Sequence, residues 1–157
     1  MWILGISKSH NGSVALIHDG KIISAIQAER ISRIKRYPID LKNDKILIKK
    51  CIDYCLKEAG ISHTELNSVA ISTPWDVNCS EDNLLFDHIG ITPKNYRKTY
   101  YVPHHYAHVE YIIHYHNLSP GIVLIIDGSG SKEDDRKNFN IKENISSKYI
   151  SHVNKSG

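Results

Sequence analysis

Residues 1–28, MWILGISKSHNGSVALIHDGKIISAIQA, decide the fold. Within this stretch, residues 1–7, 14–18 and 21–28 are mostly apolar and are separated by short polar segments, so each is predicted to be a strand. Asp19-Gly20 is a dipeptide that favours a tight hairpin turn, and Gly12-Ser13 predicts the turn before it. The stretch therefore predicts three strands connected as a meander.

A helix is predicted next, with its N-cap at Asp44, its end near Ala59 and Gly60 after it. Its apolar residues recur every three or four positions: Leu47, Ile48, Cys51, Ile52, Cys55, Leu56 and Ala59. Further strands are predicted at residues 68–72, 99–102 and 121–127, and helices at residues 81–89 and 104–116. This order matches the α/β, ribonuclease-H-like lobe of the actin/sugar-kinase/Hsp70 superfamily, a mixed sheet flanked by helices.

The bulk composition is that of an ordinary soluble globular protein, and the lack of a leader-like N-terminus and of a membrane span leads us to expect it in the cytoplasm. A chain of 157 residues with 41% hydrophobic content suits one domain with a real core. The net charge of +3 is small, so nucleic acid is not an expected partner. No apolar run approaches the ~18 residues of a membrane span. Cys51 and Cys55 fall on the apolar side of the predicted helix and are expected to be buried, reduced thiols.

Residues 131–157 differ from the rest because they are rich in Lys, Asn, Ser and Glu. They predict a polar tail that forms weak strands or is disordered, two alternatives between which the composition does not decide. The domain proper is expected to cover residues 1–130.

The strongest chemical signal is the pair His104 and His108, followed by Asp127 at the end of an apolar run. On a helix, residues four apart project from one face, and a strand could bring the carboxylate to the same point. Two imidazoles and one carboxylate suit iron, zinc or manganese. The alternative is a pair of ordinary surface histidines. His105, His114 and His116 lie off this face or further along it and are expected at the surface or behind the ligands.

Two further segments have both an ordinary and a functional interpretation. Residues 4–13 contain glycines and hydroxyls after a strand, which fits a turn that approaches a phosphate or carbonyl closely, or a plain hairpin turn. Residues 27–36 hold five charges, which could contact a phosphate-bearing substrate or simply be solvated.

These segments together resemble the N-terminal part of the O-carbamoyltransferases, the family of nodulation-factor, cephamycin and aminoglycoside carbamoylating enzymes. The family's opening I-L-G-I-S-x-x-H-D-x-S is similar to residues 3–13, with Asn11 in place of Asp. Its H-H-x-A-H is met by residues 104–108, and its D-G-x-G-E by residues 127–130 with Ser131 in place of Glu. Its D-G-x-I-x-x-A-x-x-E-E-R-F-[ST]-R-x-K pattern is matched at Asp19, Gly20, Ala25, Glu29, Arg30, Ser32, Arg33 and Lys35, but not at Ala28 or Ile31.

The resemblance implies an enzyme that passes a carbamoyl group from carbamoyl adenylate, made from carbamoyl phosphate and ATP, to the hydroxyl of a small-molecule acceptor. It implies that His104, His108 and Asp127 bind a divalent metal, with iron the first choice. It also implies that His10 is the general base beside the acceptor and that Lys35 contacts the carbamoyl adenylate. Members of the family are several times longer than this chain. The second lobe is therefore expected to be incomplete, and the chain to be a truncated member, a gene fragment or one piece of a split enzyme. It is expected to be inactive alone, and a companion chain with the remaining domains is one partner that would restore activity.

Two alternatives follow from the same residues. One is a non-catalytic module that keeps only metal or nucleotide binding, favoured by the departures at Asn11, Ala28 and Ser131. The other is a relative of the tRNA threonylcarbamoyl-transferases, which share the actin-like half.

Overall fold

The computed structural model describes residues 1–8, 10–73, 98–116, 123–126 and 149–152. Of these, the residues up to Tyr101 form one compact unit and those from Val102 onward form another. In chain order the elements are β1 (Trp2–Ser7), β2 (Ser13–His18), β3 (Lys21–Gln27), α1 (Ala28–Ser32), α2 (Lys45–Ala59), a 3-10 turn (His63–Glu65), β4 (Ser68–Thr73), β5 (Lys98–Pro103), α3 (His104–His116), β6 (Val123–Ile126) and β7 (Tyr149–His152).

The first five strands form one mixed sheet in the order β3-β2-β1-β4-β5. Strand β2 runs antiparallel to both β1 and β3, whereas β1 and β4 are parallel. A parallel pair needs a crossover connection, and α2 lies in the segment between β3 and β4 that provides it. This order and these directions are those of the ribonuclease-H-like α/β fold, so the predicted fold class is confirmed.

The core of the first unit lies between the sheet and α2. Alternate residues of the central strands point to this side, and Leu4 and Leu16 are fully buried there. Helix α2 contributes Ile48 and Ile52, and each buried aliphatic side chain of this size stabilises the fold by about 1.5–3 kcal/mol. The Ser24 hydroxyl donates a hydrogen bond of 2.9 Å to the Cys55 carbonyl oxygen and so ties β3 to α2. Both described cysteines are free and buried, as predicted.

The hairpin between β2 and β3 is formed as predicted. Asp19 and Gly20 have φ values of 47° and 78°, the left-handed pair that a two-residue type I′ turn requires. The Asp19 carboxylate also pairs with the N-terminal ammonium group. A register shift after Leu16 places one extra residue of β3 in the ladder, so the pairing is not regular along its whole length.

Helix α2 begins and ends where the sequence predicts. Gly60 is left-handed at a φ of 68°, and its N–H donates to the Leu56 and Lys57 carbonyls at the end of the helix. At the other end the position of Asp44 is right, but its carboxylate does not cap the helix. It accepts hydrogen bonds from the Tyr37 hydroxyl at 2.8 Å and from the Asp40 N–H at 3.0 Å.

Two boundaries in the first stretch were predicted wrongly. The turn between β1 and β2 lies at His10–Asn11, because Gly12 is buried against Ile39 and Ser13 already pairs with Ser7. Ala28 does not extend β3 but begins α1, a helix that the alternation of apolar residues in this segment does not predict.

The second unit holds α3 and the parallel pair β6 and β7. Strand β6 lies within the predicted strand at 121–127, and β7 is a short strand inside the polar tail. The predicted helix at 81–89, Cys79, Asp127 and residues 131–148 lie outside the described residues, and the domain boundary at 130 stays a prediction. No helix in the described part of the chain is long and apolar enough to cross a bilayer.

Candidate functional site

His10 is exposed on the turn that follows β1. The chain is fixed on both sides of this turn: Lys8 N–H donates to the Ser72 carbonyl at 2.9 Å, and Gly12 N–H to the Tyr37 carbonyl at 3.0 Å. Because β1 and β4 are parallel, Lys8 and Ser72 mark the shared carboxyl-terminal edge of the two strands. His10 therefore stands at the sheet edge where ligands of open α/β folds bind.

Lys35 is exposed on the segment that follows α1. Arg33 and Arg36 on either side of it have positive φ values of 62° and 57°, which side-chain-bearing residues adopt only when neighbouring contacts hold them. Glu29 supplies those contacts: its carbonyl accepts from Arg33 N–H at 2.9 Å and its carboxylate from Arg36 N–H at 3.0 Å. Hydrogen bonds to Glu29 thus stabilise the backbone on both sides of Lys35.

The segments that carry His10 and Lys35 are joined to each other at Gly12. Besides its bond to Tyr37, Gly12 accepts a hydrogen bond of 2.7 Å from Ala28 N–H at the start of α1. Gly12 thus contacts the chain on both sides of the Lys35 segment. The structure therefore brings these two predicted segments together in the first unit.

His104 and His108 begin α3 in the second unit, and their ring nitrogens face each other. The distance between the two Nε2 atoms is 3.2 Å, and the rings are nearly perpendicular, with centroids 4.5 Å apart. Two nitrogens bound at ~2.1 Å to one ion lie about 3.0–3.4 Å apart for octahedral to tetrahedral angles. The 3.2 Å distance is that of a hydrogen bond between the two rings, and it also falls in the range for two ligands of one metal ion.

The third predicted ligand, Asp127, lies outside the described residues. Within the part of the chain that is described, no cluster of three or more histidine, cysteine or acidic side chains has metal-binding geometry. Of the three predicted ligands, the described residues include only His104 and His108, and metal binding by any of them stays a prediction.

The other side chains of α3 decide one open alternative and show one feature that the sequence pattern was not used to predict. His105 is fully buried, which excludes the surface alternative and leaves a position behind the predicted ligands. Glu110 accepts from His114 Nε2 at 2.8 Å, and burial together with a hydrogen bond to Glu110 raises the pKa of Tyr106 to about 12. Tyr106, inside the histidine motif, therefore stays a neutral phenol. The i,i+4 spacing of Tyr106, Glu110 and His114 is the signal that predicts this row.

Comparison with known proteins gives relatives along most of the chain. Nodulation protein NolNO of Sinorhizobium fredii is 25% identical over 142 residues, which is 77% of this chain and 20% of that protein. An uncharacterised protein of Synechocystis is 41% identical over 68 residues, 43% of this chain and 10% of its own length. An uncharacterised protein of Rhizobium etli is 33% identical over 61 residues, 39% of this chain and 32% of its own. The chain thus spans a third or less of the length of these relatives.

Among solved structures, YeaZ from Pseudomonas aeruginosa superposes with a TM-score of 0.49 at 15% identity, covering 80% of this chain and 57% of that one. The family model of the carbamoyltransferase N-terminus matches residues 2–110, a range that includes His10, Lys35, His104 and His108. The chain therefore belongs to the carbamoyltransferase N-terminus family.

Proposed function

We propose that this chain is the acceptor-side module of an O-carbamoyltransferase, which transfers a carbamoyl group from carbamoyl adenylate to a substrate hydroxyl. The family match supports the reaction class. The observation that carries the proposal is the 3.2 Å separation of His104 Nε2 and His108 Nε2, which suits a shared metal at the motif the family match includes.

His104 and His108, with Asp127 as the third ligand, would hold a divalent metal, iron in the first instance and otherwise zinc or manganese. Such an ion supplies Lewis-acid polarisation of the carbamoyl carbonyl when it is bound. Two imidazoles and one carboxylate leave coordination positions open for oxygen ligands, and this donor set fits that chemistry.

The residues of the first unit would provide proton transfer and charge. The acceptor hydroxyl oxygen attacks the carbamoyl carbon, its proton passes to the His10 imidazole, and the bond to the adenylate phosphate oxygen breaks to release AMP. Imidazole suits this role because it is the side chain that most often transfers protons in catalysis. Lys35, held between two constrained residues, would pair with the phosphate that leaves.

The supply of carbamoyl adenylate is proposed to come from elsewhere, because the chain spans 20% of NolNO. A companion chain or domain would make it from carbamoyl phosphate and ATP. The test combines the chain with a companion protein that carries those domains, and follows radiolabel from carbamoyl phosphate into a panel of hydroxyl compounds. Labelled ester above the level of the companion by itself is expected, and no gain over the companion would refute the proposal.

The His10 variant has a matched control. His10→Ala is expected to lower transfer by at least ~100-fold, the lower end for general-base catalysis. His63→Ala removes another imidazole at the opposite edge of the sheet, where Asn67 N–H bonds to the Trp2 carbonyl, and is expected to leave transfer unchanged. Equal losses in both variants would exclude His10 as the base.

Metal binding is measured separately by anaerobic titration with Fe²⁺, Zn²⁺ and Mn²⁺. His104→Ala and His108→Ala are each expected to weaken binding by at least ~10-fold, whereas His114→Ala, on the same helix and exposed, is the control. Stoichiometric binding that none of the three variants weakens would place the metal elsewhere. Metal binding with no transfer in the presence of the companion would favour the non-catalytic module.

A further inference from the structure

A groove of about 480 Å³ lies between the segment after α1 and the first turns of α2. We call it the basic groove; its lining includes Ile31, Ile34, Lys45, Ile46, Leu47 and Lys50. All of these residues lie in the first unit. Lys35, which the proposed reaction uses, does not line it. The groove lining therefore includes none of the residues that the proposed reaction uses, although Ile34 precedes Lys35 in the chain.

The apolar part of the basic groove extends from the core to its rim. Ile31 and Leu47 pack against the core and form the inner surface. At the rim, Ile34 is 56% exposed and Ile46 is 75% exposed. Single exposed isoleucines are common, but two beside one groove provide an apolar patch that a ligand could cover.

Positive charge surrounds these apolar side chains. Residues 30–50 contain eight lysines and arginines and two aspartates, whereas the whole chain carries a net charge of only +3. Both aspartates already accept local hydrogen bonds: Asp44 from Tyr37 and Asp40, and Asp40 from the Lys42 N–H at 2.8 Å. In the described part of the chain neither Lys45 nor Lys50 has an ion-pair partner.

Local hydrogen bonds stabilise the segment that forms one wall. Ile34 N–H donates to the Ser32 hydroxyl at 3.2 Å, and the Glu29 carboxylate holds Arg36 two residues further on. Ile34 is thus presented outward between basic residues by a braced backbone. A surface that is ordered before binding loses less entropy when a ligand is bound.

We propose that the basic groove docks an acidic, amphipathic protein segment. Its apolar side chains would cover Ile34 and Ile46, and its carboxylates would pair with Lys45 and Lys50. The observations favour a peptide over nucleic acid because the exposed rim groups are aliphatic. The aromatic side chain of the groove, Tyr37, is half-buried and is hydrogen-bonded to Asp44, so it does not offer an open stacking surface for bases.

The test uses the full 157-residue chain and fluorescence anisotropy. The probe is a labelled peptide of about 15 residues with Glu on one helical face and Leu on the other. Three comparison probes are the peptide with Gln for Glu, the peptide with Ser for Leu, and a labelled single-stranded oligonucleotide of similar charge. The acidic amphipathic peptide is expected to bind most tightly, and its affinity is expected to fall with added salt.

Paired variants locate the site. Lys45→Gln with Lys50→Gln is expected to weaken peptide binding about fivefold, and Ile34→Ser with Ile46→Ser about tenfold. Lys21→Gln with Lys57→Gln removes two exposed lysines outside the groove and is expected to change affinity less than about twofold. Circular dichroism checks that each variant is folded.

Three results would overturn the proposal. Oligonucleotide binding tighter than peptide binding would identify a nucleic-acid surface. Equal binding of the Ser-for-Leu peptide would show charge attraction without docking. Equal losses in the groove and control lysine variants would place the peptide elsewhere. None of these results bears on carbamoyl transfer, which does not use the groove residues.

Discussion

Gly12 is the position where the smallest change should have the largest structural effect. An alanine Cβ placed there would lie 2.5 Å from Ile39 Cγ1 and 2.7 Å from the Ile39 backbone nitrogen. The φ of Gly12 is not in the positive range, so the conflict comes from lack of space and not from the backbone conformation. The backbone of Ile39 cannot rotate away as a side-chain end can, so Gly12→Ala must displace one of the two segments.

These contacts determine how much Gly12→Ala should lower the free energy of unfolding. Overpacking a well-filled site costs about 1–3 kcal/mol. Displacement also weakens the bonds of Gly12 to Tyr37 and Ala28, each with a net value of about 1 kcal/mol. The lower entropy of the unfolded alanine chain offsets about 0.4–1 kcal/mol. We therefore expect Gly12→Ala to lower the free energy of unfolding by about 2 kcal/mol.

Urea unfolding followed by circular dichroism measures this change. With a slope near ~2 kcal/mol/M, the midpoint should fall by about 1 M. Gly5→Ala is the matched control, since its added Cβ would meet only the Ala15 carbonyl oxygen at 3.8 Å, an ordinary contact. The free energy of unfolding of Gly5→Ala should therefore differ from that of the unmodified chain by less than about 0.5 kcal/mol. If the two variants unfold at the same urea concentration, the packing of Gly12 against Ile39 is not as described.

Further predictions concern the core of the first unit. Ile52→Ala should lower the free energy of unfolding by about 2–5 kcal/mol because Ile52 is buried. Ile46→Ala on the same helix should lower it by under about 0.5 kcal/mol because Ile46 is exposed. Similar urea midpoints for the two variants would contradict this. Ser24→Ala should cost about 1 kcal/mol through its lost bond to Cys55, and an unchanged midpoint would show that this bond adds nothing. Burial raises the pKa of the Cys51 thiol from 9.0 to about 11, so this thiol ionises at lower pH in the unfolded chain than in the folded chain. The free energy of unfolding should therefore fall as the pH rises from 9 through 11. A Cys51→Val variant should lose less of this free energy over the same pH range, and identical losses would disprove the effect. In a Cys79→Ser background the native chain should react slowly with a thiol reagent at pH 8, below that range, and rapid labelling of Cys51 would contradict its burial.

The regular elements were predictable because each has a period that the sequence displays directly. The apolar spacing of α2 and its Gly60 end are local properties, and Ile48, Cys51, Ile52 and Cys55 are all buried as that spacing predicts. The Asp19-Gly20 turn is equally local, because this type of turn needs two consecutive residues with left-handed φ values. The order of elements then restricted the topology enough to predict the sheet.

What was missed depends on contacts between residues far apart in sequence. Gly12 was assigned to a turn because glycine favours turns, but its role is to let Ile39 approach, which no local pattern shows. Asp44 was assigned to the helix cap because of its position, but the Tyr37 hydroxyl seven residues earlier binds its carboxylate. The helical angle of His105 leaves a surface position and a position behind the ligands both open, and tertiary packing decides between them by burying it. At the candidate site, the spacing of His104 and His108 predicts that the two rings share one face of α3, which the structure shows, while their binding of a metal stays a prediction.

The hydrogen bonds of Gly12 also connect the two surfaces to which we assign functions. Gly12 lies two residues after His10 and bonds to the Tyr37 carbonyl, while the Tyr37 hydroxyl bonds to Asp44 at the start of α2. Tyr37 and Asp44 line the basic groove, so a peptide seated there would rest on the residues that brace the His10 turn. Hydrogen bonds in series do not by themselves transmit a signal, because coupling requires an element with two alternative arrangements. What these bonds do provide is a direct connection: Gly12, two residues after His10, is hydrogen-bonded to Tyr37, which lines the groove.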